Sequence, residues 1–551
     1  MSTIAGATIL ARNLKQQGVD YMFGIVGFPV VPIARAAQQE GITYVGMRNE
    51  QAASYAAQAA SYLTGRTQAC LVVSGPGVIH ALAGLANAKE NCWPMLLIGG
   101  ASDTSQNGMG AFQEESQVQA AALYCKYAHG VEDARRIPYY VEQAVRTSLF
   151  GRPGAVYLDM PDDIISGTVE ESEVGAAATV GNPPRTLAPP EQVSAALDTL
   201  REAERPLLIV GKGMAWARAE DEIREFVDRT KVPFLASPMG KGVVPDDHPL
   251  SVGAARSHAL AEADVIFLAG ARLNWIMHFG LPPRFSPDVR IVQLDIAAEQ
   301  IGHNVPAEVG LVGDGKAVFG QLNQELDTHP WEYNPETPWR ASIAEKITAN
   351  AAAIQPMIDD DSAPTNYFRA FRDIREWAGR DAIIASEGAN TMDIGRTQLP
   401  NFEARHRLDA GSYGTMGVGL GFAIAAAVTN PDKRIVCVEG DSAFGFSGME
   451  IETASRHQLP ITFIILNNGG IGGGFGNLDP DKPKPVNALL WEGARYEKVA
   501  EAFGAKGFFV DDPADLRAAL DAAEQSSGPA IVHVILNPKA DRKPQKYGWH
   551  S

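Results

Sequence analysis

Short apolar runs, separated by segments of helical length, recur from one end of the chain to the other. In the first third they lie at residues 21–26, 43–47, 69–73 and 95–99. Continuous apolar character, without polar alternation, is typical of parallel strands that are covered by helices on both faces. Residues 8–18 and 50–63 have the pattern of such helices, and Asn49 is placed to cap the second one. The sequence therefore predicts an α/β fold with doubly wound parallel sheets.

The apolar runs form three blocks, which predict three consecutive doubly wound domains. The second block has runs at 206–210, 265–270 and 291–295, and the third has runs at 382–385, 434–438, 461–466 and 530–535. Segments rich in Gly, Pro, Ala and Glu separate the blocks and are typical of linkers. The predicted order is a first domain (1–165), a linker (166–192), a central domain (193–345), a second linker (346–365), a third domain (366–537) and a C-terminal segment (538–551).

Composition excludes several classes of function. Of 551 residues, 45% are hydrophobic and 20% are charged, as in ordinary globular proteins. The formal charge of −18 argues against a nucleic-acid partner. No apolar run approaches the ~20 residues of a membrane span, and the N-terminus lacks the features of a secretory signal. The four cysteines form no Cys-x-x-Cys pair, so we expect reduced thiols in a cytoplasmic protein.

Oxygen-bearing side chains follow two strands of the third block. Asp441 follows the run 434–438, and Asn468 follows the run 461–466. A right-handed crossover would bring the carboxyl ends of these strands side by side. Because Mg²⁺ prefers oxygen ligands and shares its shell with substrate phosphates, we expect Asp441, Asn468 and the carbonyl of Gly470 to hold a magnesium ion beside a phosphate group. The alternative is an ordinary pair of turns, since Asp and Asn are common at strand ends.

This motif and the three-block layout resemble those of thiamine diphosphate (ThDP) enzymes, in particular the acetolactate synthase and pyruvate oxidase group. The resemblance covers the whole chain and implies a pyrimidine-binding, a central and a diphosphate-binding domain. Ser442 stands where many members have a second glycine. In that group a glutamate of the first domain contacts the aminopyrimidine of ThDP bound by a neighbouring subunit, and Glu50 in the segment 47–53 matches it. The alternative is that Glu50 only complements a helix dipole.

The resemblance implies further cofactor contacts in the third domain. Met416, in the segment 414–419, matches the bulky apolar residue that supports the bent form of ThDP, although core filling is the alternative for any methionine. The other implied cofactor contacts are Gly388, Ala389, Asn390, Gly440, Ser442 and Ile471.

Several segments resemble the acyl-CoA branch of the group, which contains the oxalyl-CoA decarboxylases and the 2-hydroxyacyl-CoA lyases. The chain has no adjacent histidine pair, which argues against a simple 2-oxoacid decarboxylase. Residues 110–114 and the basic, aromatic segment 541–549 resemble the lyases. The implied activity is cleavage of a 2-hydroxyacyl-CoA to formyl-CoA and an aldehyde or ketone, with 2-hydroxyisobutyryl-CoA and acetone as one candidate pair. The alternatives are an oxalyl-CoA decarboxylase, an acetolactate-type carboligase and a nucleotide-binding protein without activity.

Roles in this reaction follow from the resemblance. Glu50 would activate ThDP, Gln113 and Glu114 would orient the substrate, and Glu492 is a candidate for the final protonation. The residues expected to contact the acyl-CoA are Phe112, Arg256, Arg405, Arg407, Arg542, Lys543 and Trp549, the last three in a C-terminal lid. The alternatives are surface salt bridges for the first three arginines and a solvated tail for the C-terminal segment. Asp295 ends a strand where a nucleotide ribose would bind, so ADP in the central domain stays open. If Glu50 serves a neighbour's cofactor, the protein is at least a dimer, and a tetramer is usual in the family.

Overall fold

Three parallel sheets, one in each predicted domain, organise the chain in the computed structural model, which describes residues 2–477, 479, 481–483 and 488–540. The predicted α/β class with three doubly wound sheets is confirmed. Within the described residues, no helix is both long and apolar enough to cross a membrane.

The first domain contains a six-stranded sheet with the order β3-β2-β4-β5-β7-β6. The strands up to residue 170 are β1 Thr3–Ala5, β2 Tyr21–Gly24, β3 Thr43–Gly46, β4 Ala69–Val72, β5 Met95–Ala101, β6 Ala128–Gly130, β7 Ala155–Pro161 and β8 Thr168–Glu170. The helices are α1 Gly6–Gln16, α2 Val31–Gln39, α3 Glu50–Thr64, α4 Pro76–Asn91, α5 Gln117–Ala122, α6 Ile137–Leu149 and α7 Asp162–Ser166. Strands β1 and β8 form a separate antiparallel ribbon, so the expected linker 166–192 begins with a paired strand.

The central domain contains a five-stranded parallel sheet with the order β10-β9-β11-β12-β13. Its strands are β9 Pro206–Val210, β10 Phe234–Ala236, β11 Val265–Ala269, β12 Arg290–Asp295 and β13 Val309–Val312. Its helices are α8 Pro190–Arg201, α9 Lys212–Ala217, α10 Glu220–Thr230, α11 Arg256–Glu262 and α12 Gly315–Thr328. The next helix, α13 Pro338–Ile358, fills most of the segment 346–365 that we expected to be an irregular linker.

The third domain contains a six-stranded parallel sheet with the order β15-β14-β16-β17-β19-β18. Its strands are β14 Ile383–Glu387, β15 Arg407–Asp409, β16 Ile435–Gly440, β17 Ile461–Asn467, β18 Lys506–Val510 and β19 Ala530–Ile535. Its helices are α14 Tyr367–Ala378, α15 Ala389–Gln398, α16 Val418–Thr429, α17 Asp441–Ser447, α18 Glu450–Arg456, α19 Glu497–Ala502 and α20 Leu516–Glu524.

Helices α3 and α16 join the first domain to the third. Every residue of α3 from Ala52 to Tyr62 is buried, and α16 is buried from Val418 to Ala427. The two backbones approach closely, because a methyl group added at Gly421 would lie 2.7 Å from the carbonyl oxygen of Ala52. Small side chains on both helices therefore fix the position of the first domain against the third.

Candidate active site

The carboxyl ends of β16 and β17 lie side by side, as the sequence predicted, because these strands are neighbours in register with Gly440 opposite Leu466. Asp441 accepts a hydrogen bond from the amide of Gly469 at 2.9 Å and another from the amide of Ser442 at 2.9 Å. Asn468 accepts from the amide of Gly470 at 3.3 Å. Backbone contacts thus hold the carboxylate and the amide oxygen at one edge of the sheet.

The chemistry of this edge fits a hard cation. Burial raises the pKa of Asp441 to about 6, so its ionised form lacks full solvation and would be stabilised by a bound cation. Asp441, Asn468 and the carbonyl of Gly470 supply the oxygen donors that Mg²⁺ prefers. In the described part of the chain, no cluster of three or more His, Cys, Asp or Glu side chains offers another metal site.

A backbone cradle lies beside these ligands. Gly388 has a φ of +101°, and a Cβ atom there would lie 3.2 Å from the amide nitrogen of Gly440. Helix α15 begins at Ala389, and Asn390 donates to the carbonyl of Gly472 at 3.0 Å. A glycine turn that leads into a ten-residue helix is suited to bind a phosphate anion. The exposed side chain of Ile471 lies at the rim.

A buried carboxylate holds the turn that contains Met416. Glu387 accepts hydrogen bonds from the amides of Gly417 and Gly419, both at 2.5 Å. Glu439 lies opposite Glu387 on the neighbouring strand. Burial raises the pKa of Glu387 to about 7. Met416 itself is half-buried, so part of its side chain can contact a ligand. Sequence reasoning missed both carboxylates because each lies within an apolar strand.

Glu50 is the first residue of α3, and Asn49 caps this helix as predicted by accepting from the amides of Gln51 and Ala52. One carboxylate oxygen of Glu50 lies 3.2 Å from Nδ1 of His80 on α4. The side chain of Glu50 is 15% exposed, so it remains accessible to a ligand. Sequence reasoning also missed His80, because a lone histidine thirty residues from Glu50 carries no spacing signal.

Gln113 comes from a later loop and lies beside the start of helix α4. Its amide oxygen accepts from the hydroxyl of Ser74 at 3.3 Å, just before the helix begins at Pro76. The start of α4 therefore contacts both proposed site residues. His80 in the helix contacts Glu50, and Ser74 just before the helix contacts Gln113. Phe112 is 66% exposed and packs edge-to-face on Phe28 with ring centroids 5.8 Å apart.

Glu114 closes its own loop. Its carboxylate accepts from the amides of Gly110 and Ala111 at 2.9 Å each and also from the amide of Gly108. These bonds, that of Gly108 foremost, hold the pKa of Glu114 below its usual range. Three backbone amides of its own loop thus engage the carboxylate of Glu114, and its part in orienting the substrate stays a prediction.

Glu492 lies close to the metal-binding edge. The amide of Leu490 donates to the carbonyl of Gly469 at 3.0 Å, and Leu489 forms an isolated bridge with Gly470. The exposed residues Trp491 and Glu492 follow directly after this pairing. The role of Glu492 in the final protonation stays a prediction.

The arginines expected to bind CoA are engaged elsewhere. Arg407 has no exposed surface and lies 3.6 Å from a carboxylate oxygen of Asp409. Arg405 pairs with Glu220 and donates to the carbonyl of Ala215 at 2.7 Å. The assignment of these two to CoA is therefore corrected, because Arg405 is held between the third and central domains and Arg407 is enclosed beside Asp409 in the third domain.

The remaining expected CoA contacts are only partly described. The half-buried Arg256 donates to the carbonyl of Ile276 at 2.7 Å. Arg542, Lys543 and Trp549 lie outside the described residues, so their role in a lid stays a prediction.

A cavity of about 790 Å³ lies where the central domain meets the other two. Asp295 at the end of β12 and the residues Lys212 and Gly213 after β9 contribute to its wall. Its cationic lining residues are Arg66, Arg152, Arg185, Lys212, Arg218 and Arg272. This concentration of positive charge in a chain of net charge −18 is suited to an anionic ligand.

Three family profiles match the chain and cover its three sheets. They are "Thiamine pyrophosphate enzyme, N-terminal TPP binding domain" at residues 4–121, "Thiamine pyrophosphate enzyme, central domain" at 193–322 and "Thiamine pyrophosphate enzyme, C-terminal TPP binding domain" at 388–534. Thiamine pyrophosphate is a synonym of thiamine diphosphate. The chain belongs to the thiamine pyrophosphate enzyme family, which confirms the resemblance inferred from Asp441, Asn468 and Glu50.

Within this family, the chain is similar over almost its full length to 2-hydroxyacyl-CoA lyases. It is 51% identical to 2-hydroxyacyl-CoA lyase 1 of Homo sapiens over 560 residues, with 99% of this chain and 97% of that protein covered. It is 43% identical to 2-hydroxyacyl-CoA lyase of Oryza sativa subsp. japonica, with 98% and 96% covered. Oxalyl-CoA decarboxylase of Escherichia coli (strain K12) is 41% identical, with 97% and 95% covered.

Proposed function

We propose that this chain is a ThDP- and Mg²⁺-dependent lyase that cleaves 2-hydroxyacyl-CoA to formyl-CoA and an aldehyde or ketone. The observation that supports it most is the joint placement of Glu50 and Gln113 around the start of α4, in a chain 51% identical to a 2-hydroxyacyl-CoA lyase. A carboxylate and an amide at one site suit cofactor activation and orientation of a hydroxyl-bearing substrate.

Bound ThDP would supply a nucleophilic carbon and an electron sink for the cleaved bond. The protein would bind it at both ends. Asp441, Asn468 and the Gly470 carbonyl would hold Mg²⁺ and the diphosphate. Glu50 would hold the proton at N1′ of the pyrimidine with one oxygen, while its other oxygen faces His80.

The substrate would lie between the loop that contains Gln113 and the segment that contains Glu492. The Gln113 amide would orient the 2-hydroxyl or thioester oxygen, and the exposed rings of Phe112 and Trp491 would exclude water. Glu492 would deliver the last proton to the formyl carbon, because the pairing of residues 489–490 with 469–470 brings it to the cofactor edge.

The product spectrum tests this function. Incubated with Mg²⁺, ThDP and 2-hydroxyisobutyryl-CoA, the protein should release formyl-CoA and acetone, both detected by mass spectrometry. Incubated with oxalyl-CoA, it should release much less CO₂ per unit time. Faster turnover of oxalyl-CoA than of several 2-hydroxyacyl-CoA thioesters would contradict the lyase and favour the decarboxylase.

The site also requires a second chain. Large apolar side chains are exposed around both halves of it, namely Phe28, Ile79, Met109 and Phe112 near Glu50, and Phe446, Met449, Ile471 and Trp491 near Asp441. Exposed apolar clusters of this kind mark interaction surfaces. We therefore infer a homodimer as the minimal active unit, with the tetramer usual in the family as the expected assembly. The four cysteines are free, which agrees with the reducing cytoplasm as its location.

The central cavity is suited to ADP. Its volume of about 790 Å³ lies within the usual range of ligand sites, and its arginines suit a diphosphate. Asp295 lies at a strand end, where a ribose would be expected. Bound ADP would play a structural or regulatory part, since the reaction uses no nucleotide chemistry.

ADP affinity should fall as the pH rises through about 7. Burial lowers the pKa of Lys212 in the cavity wall to about 7, so this amine loses its charge in that range and attracts an anion less. Calorimetric titration from pH 6 to 8.5 should show a loss of at most about tenfold per pH unit. Lys212→Gln should remove this pH dependence. Binding of adenosine, which carries no phosphate, is the control, and equal affinity for adenosine and ADP would contradict the assignment.

A further inference from the structure

The turn that leads into α3 is held by a carboxylate from the third domain. One oxygen of Glu450 accepts from the amides of Arg48 and Asn49, both at 3.0 Å, and the other lies 3.2 Å from the amide of Arg48. Glu450 has no exposed surface. The residues it joins are about four hundred positions apart in the sequence.

A second contact from the same short helix secures the turn. Arg456, at the end of α18, donates to the carbonyl of Gly46 at 2.7 Å, and Glu452 orients it through a bond of 2.9 Å. Both ends of helix α18 therefore contact the turn. Glu450 at its start accepts from backbone amides of the turn, and Arg456 at its end donates to a backbone carbonyl. Thr453 completes the arrangement by donating to Glu450 at 2.6 Å.

The residue next in the chain is Glu50. Because Asn49 is also the N-cap of α3, fixing its amide fixes both the start of the helix and the direction in which Glu50 leaves it. A displacement of about 1 Å at a catalytic group can cost on the order of 10²-fold in rate. The contact thus lies where a small shift would have a large effect.

We propose that Glu450 is a positioning residue for this reaction, which sets the place of Glu50 by holding the amides of Arg48 and Asn49. The inference rests on the role of Glu50 in the proposed function and deepens it. The third domain would then have two roles. It would bind ThDP, and through Glu450 it would also position Glu50 in the first domain of the same chain.

The chemistry of this contact requires a carboxylate. Both oxygens of Glu450 accept hydrogen bonds. Burial raises the pKa of Glu450 to about 7, whereas the hydrogen-bond donors favour its ionised form. A glutamine would keep the size of the side chain but would present an NH₂ group to one of these donors. The arrangement would then lose an acceptor and oppose the amide that the NH₂ group faces.

Amide hydrogen exchange of the protein without cofactor tests the contact directly. In Glu450→Gln and Glu450→Ala, exchange at residues 48–52 should be about tenfold faster or more, the effect of losing roughly one hydrogen bond. Glu501→Gln is the control, since this exposed carboxylate pairs with the neighbouring Lys498 on its own helix, α19. The control should exchange as the wild type does. Unchanged exchange at residues 48–52 in both Glu450 variants would overturn the proposal.

A second measurement separates positioning from a general structural role. With ThDP bound, hydrogen–deuterium exchange at the thiazolium C2 atom should be slowed about 10–10²-fold in Glu450→Gln, while the Kd of ThDP changes by less than about threefold. Normal C2 exchange despite faster amide exchange would leave only a structural contact and overturn the inference. Neither readout needs an acyl-CoA, so wild-type protein that releases no formyl-CoA would defeat the proposed function while these two results still decide the role of Glu450.

Discussion

Glu50→Gln is expected to lower kcat by about 10²–10⁴-fold, the usual contribution of a placed proton-transfer group. Glutamine keeps the size of the side chain and the contact with His80, but it cannot hold the proton of the cofactor pyrimidine. Mg²⁺-dependent binding of ThDP should stay within a few fold of the wild type, because the proposed metal and diphosphate contacts all lie in the third domain. Formyl-CoA formation under saturating ThDP gives the rate, and quenching of tryptophan fluorescence gives the affinity.

The matched control for Glu50→Gln is again Glu501→Gln, which removes one negative charge from an exposed position far along the chain. It should keep wild-type kcat and the same affinity for ThDP. Near-normal turnover of Glu50→Gln would remove Glu50 from the mechanism and would favour the alternative in which it only complements the dipole of α3.

Asp441→Asn is expected to abolish most Mg²⁺-dependent binding of ThDP. The substitution keeps the shape of the side chain but removes the only buried charge proposed to bind the cation. Removing one partner of a buried charge pair typically costs ~2–5 kcal/mol, so the Kd of ThDP should rise by about 10²-fold or more. Fluorescence titration at fixed Mg²⁺ measures this, with the exposed Asp521→Asn as control. Unchanged affinity would remove Asp441 from the metal site.

Mixing the two variants identifies which chain supplies each group. If Glu50 serves the partner's cofactor, a mixed dimer of Glu50→Gln and Asp441→Asn chains has one site with both groups intact. Random pairing of equal amounts should then restore about a quarter of wild-type activity. If both groups came from the same chain, no site in any dimer would be complete, and the mixture would stay as inactive as its components.

Buried strands and the ends of strands were predictable from the sequence. The runs at 69–73 and 461–466 became β4 and β17 within a residue at either end, because continuous apolar character is typical of covered parallel strands. Parallel topology then placed Asp441 beside Asn468 without further information. The cap at Asn49 was also predictable, since Asn is among the preferred N-cap residues.

Contacts between distant parts of the chain were not predictable. Nothing in the residues 166–192 indicates that β8 pairs with β1, because the partner lies at the other end of the domain. Arg407 has the same local charge as an exposed arginine, and only the fold shows that it is enclosed with Asp409. Glu450 and His80 were not predicted for the same reason, since each contacts a residue in a distant part of the chain.

The close packing of α3 against α16 has a consequence for changing the substrate range of this enzyme. Glu50, the proposed catalytic carboxylate, begins helix α3, which packs against α16 through alanine and glycine residues. Any bulkier side chain in this α3–α16 interface would therefore move Glu50. Natural variation and laboratory evolution should therefore leave the residues of the α3–α16 interface almost unchanged. New acyl chains should be accommodated instead by substitutions in the loop around Gly108–Glu114 and in the segment 488–493, at positions other than Gln113 and Glu492.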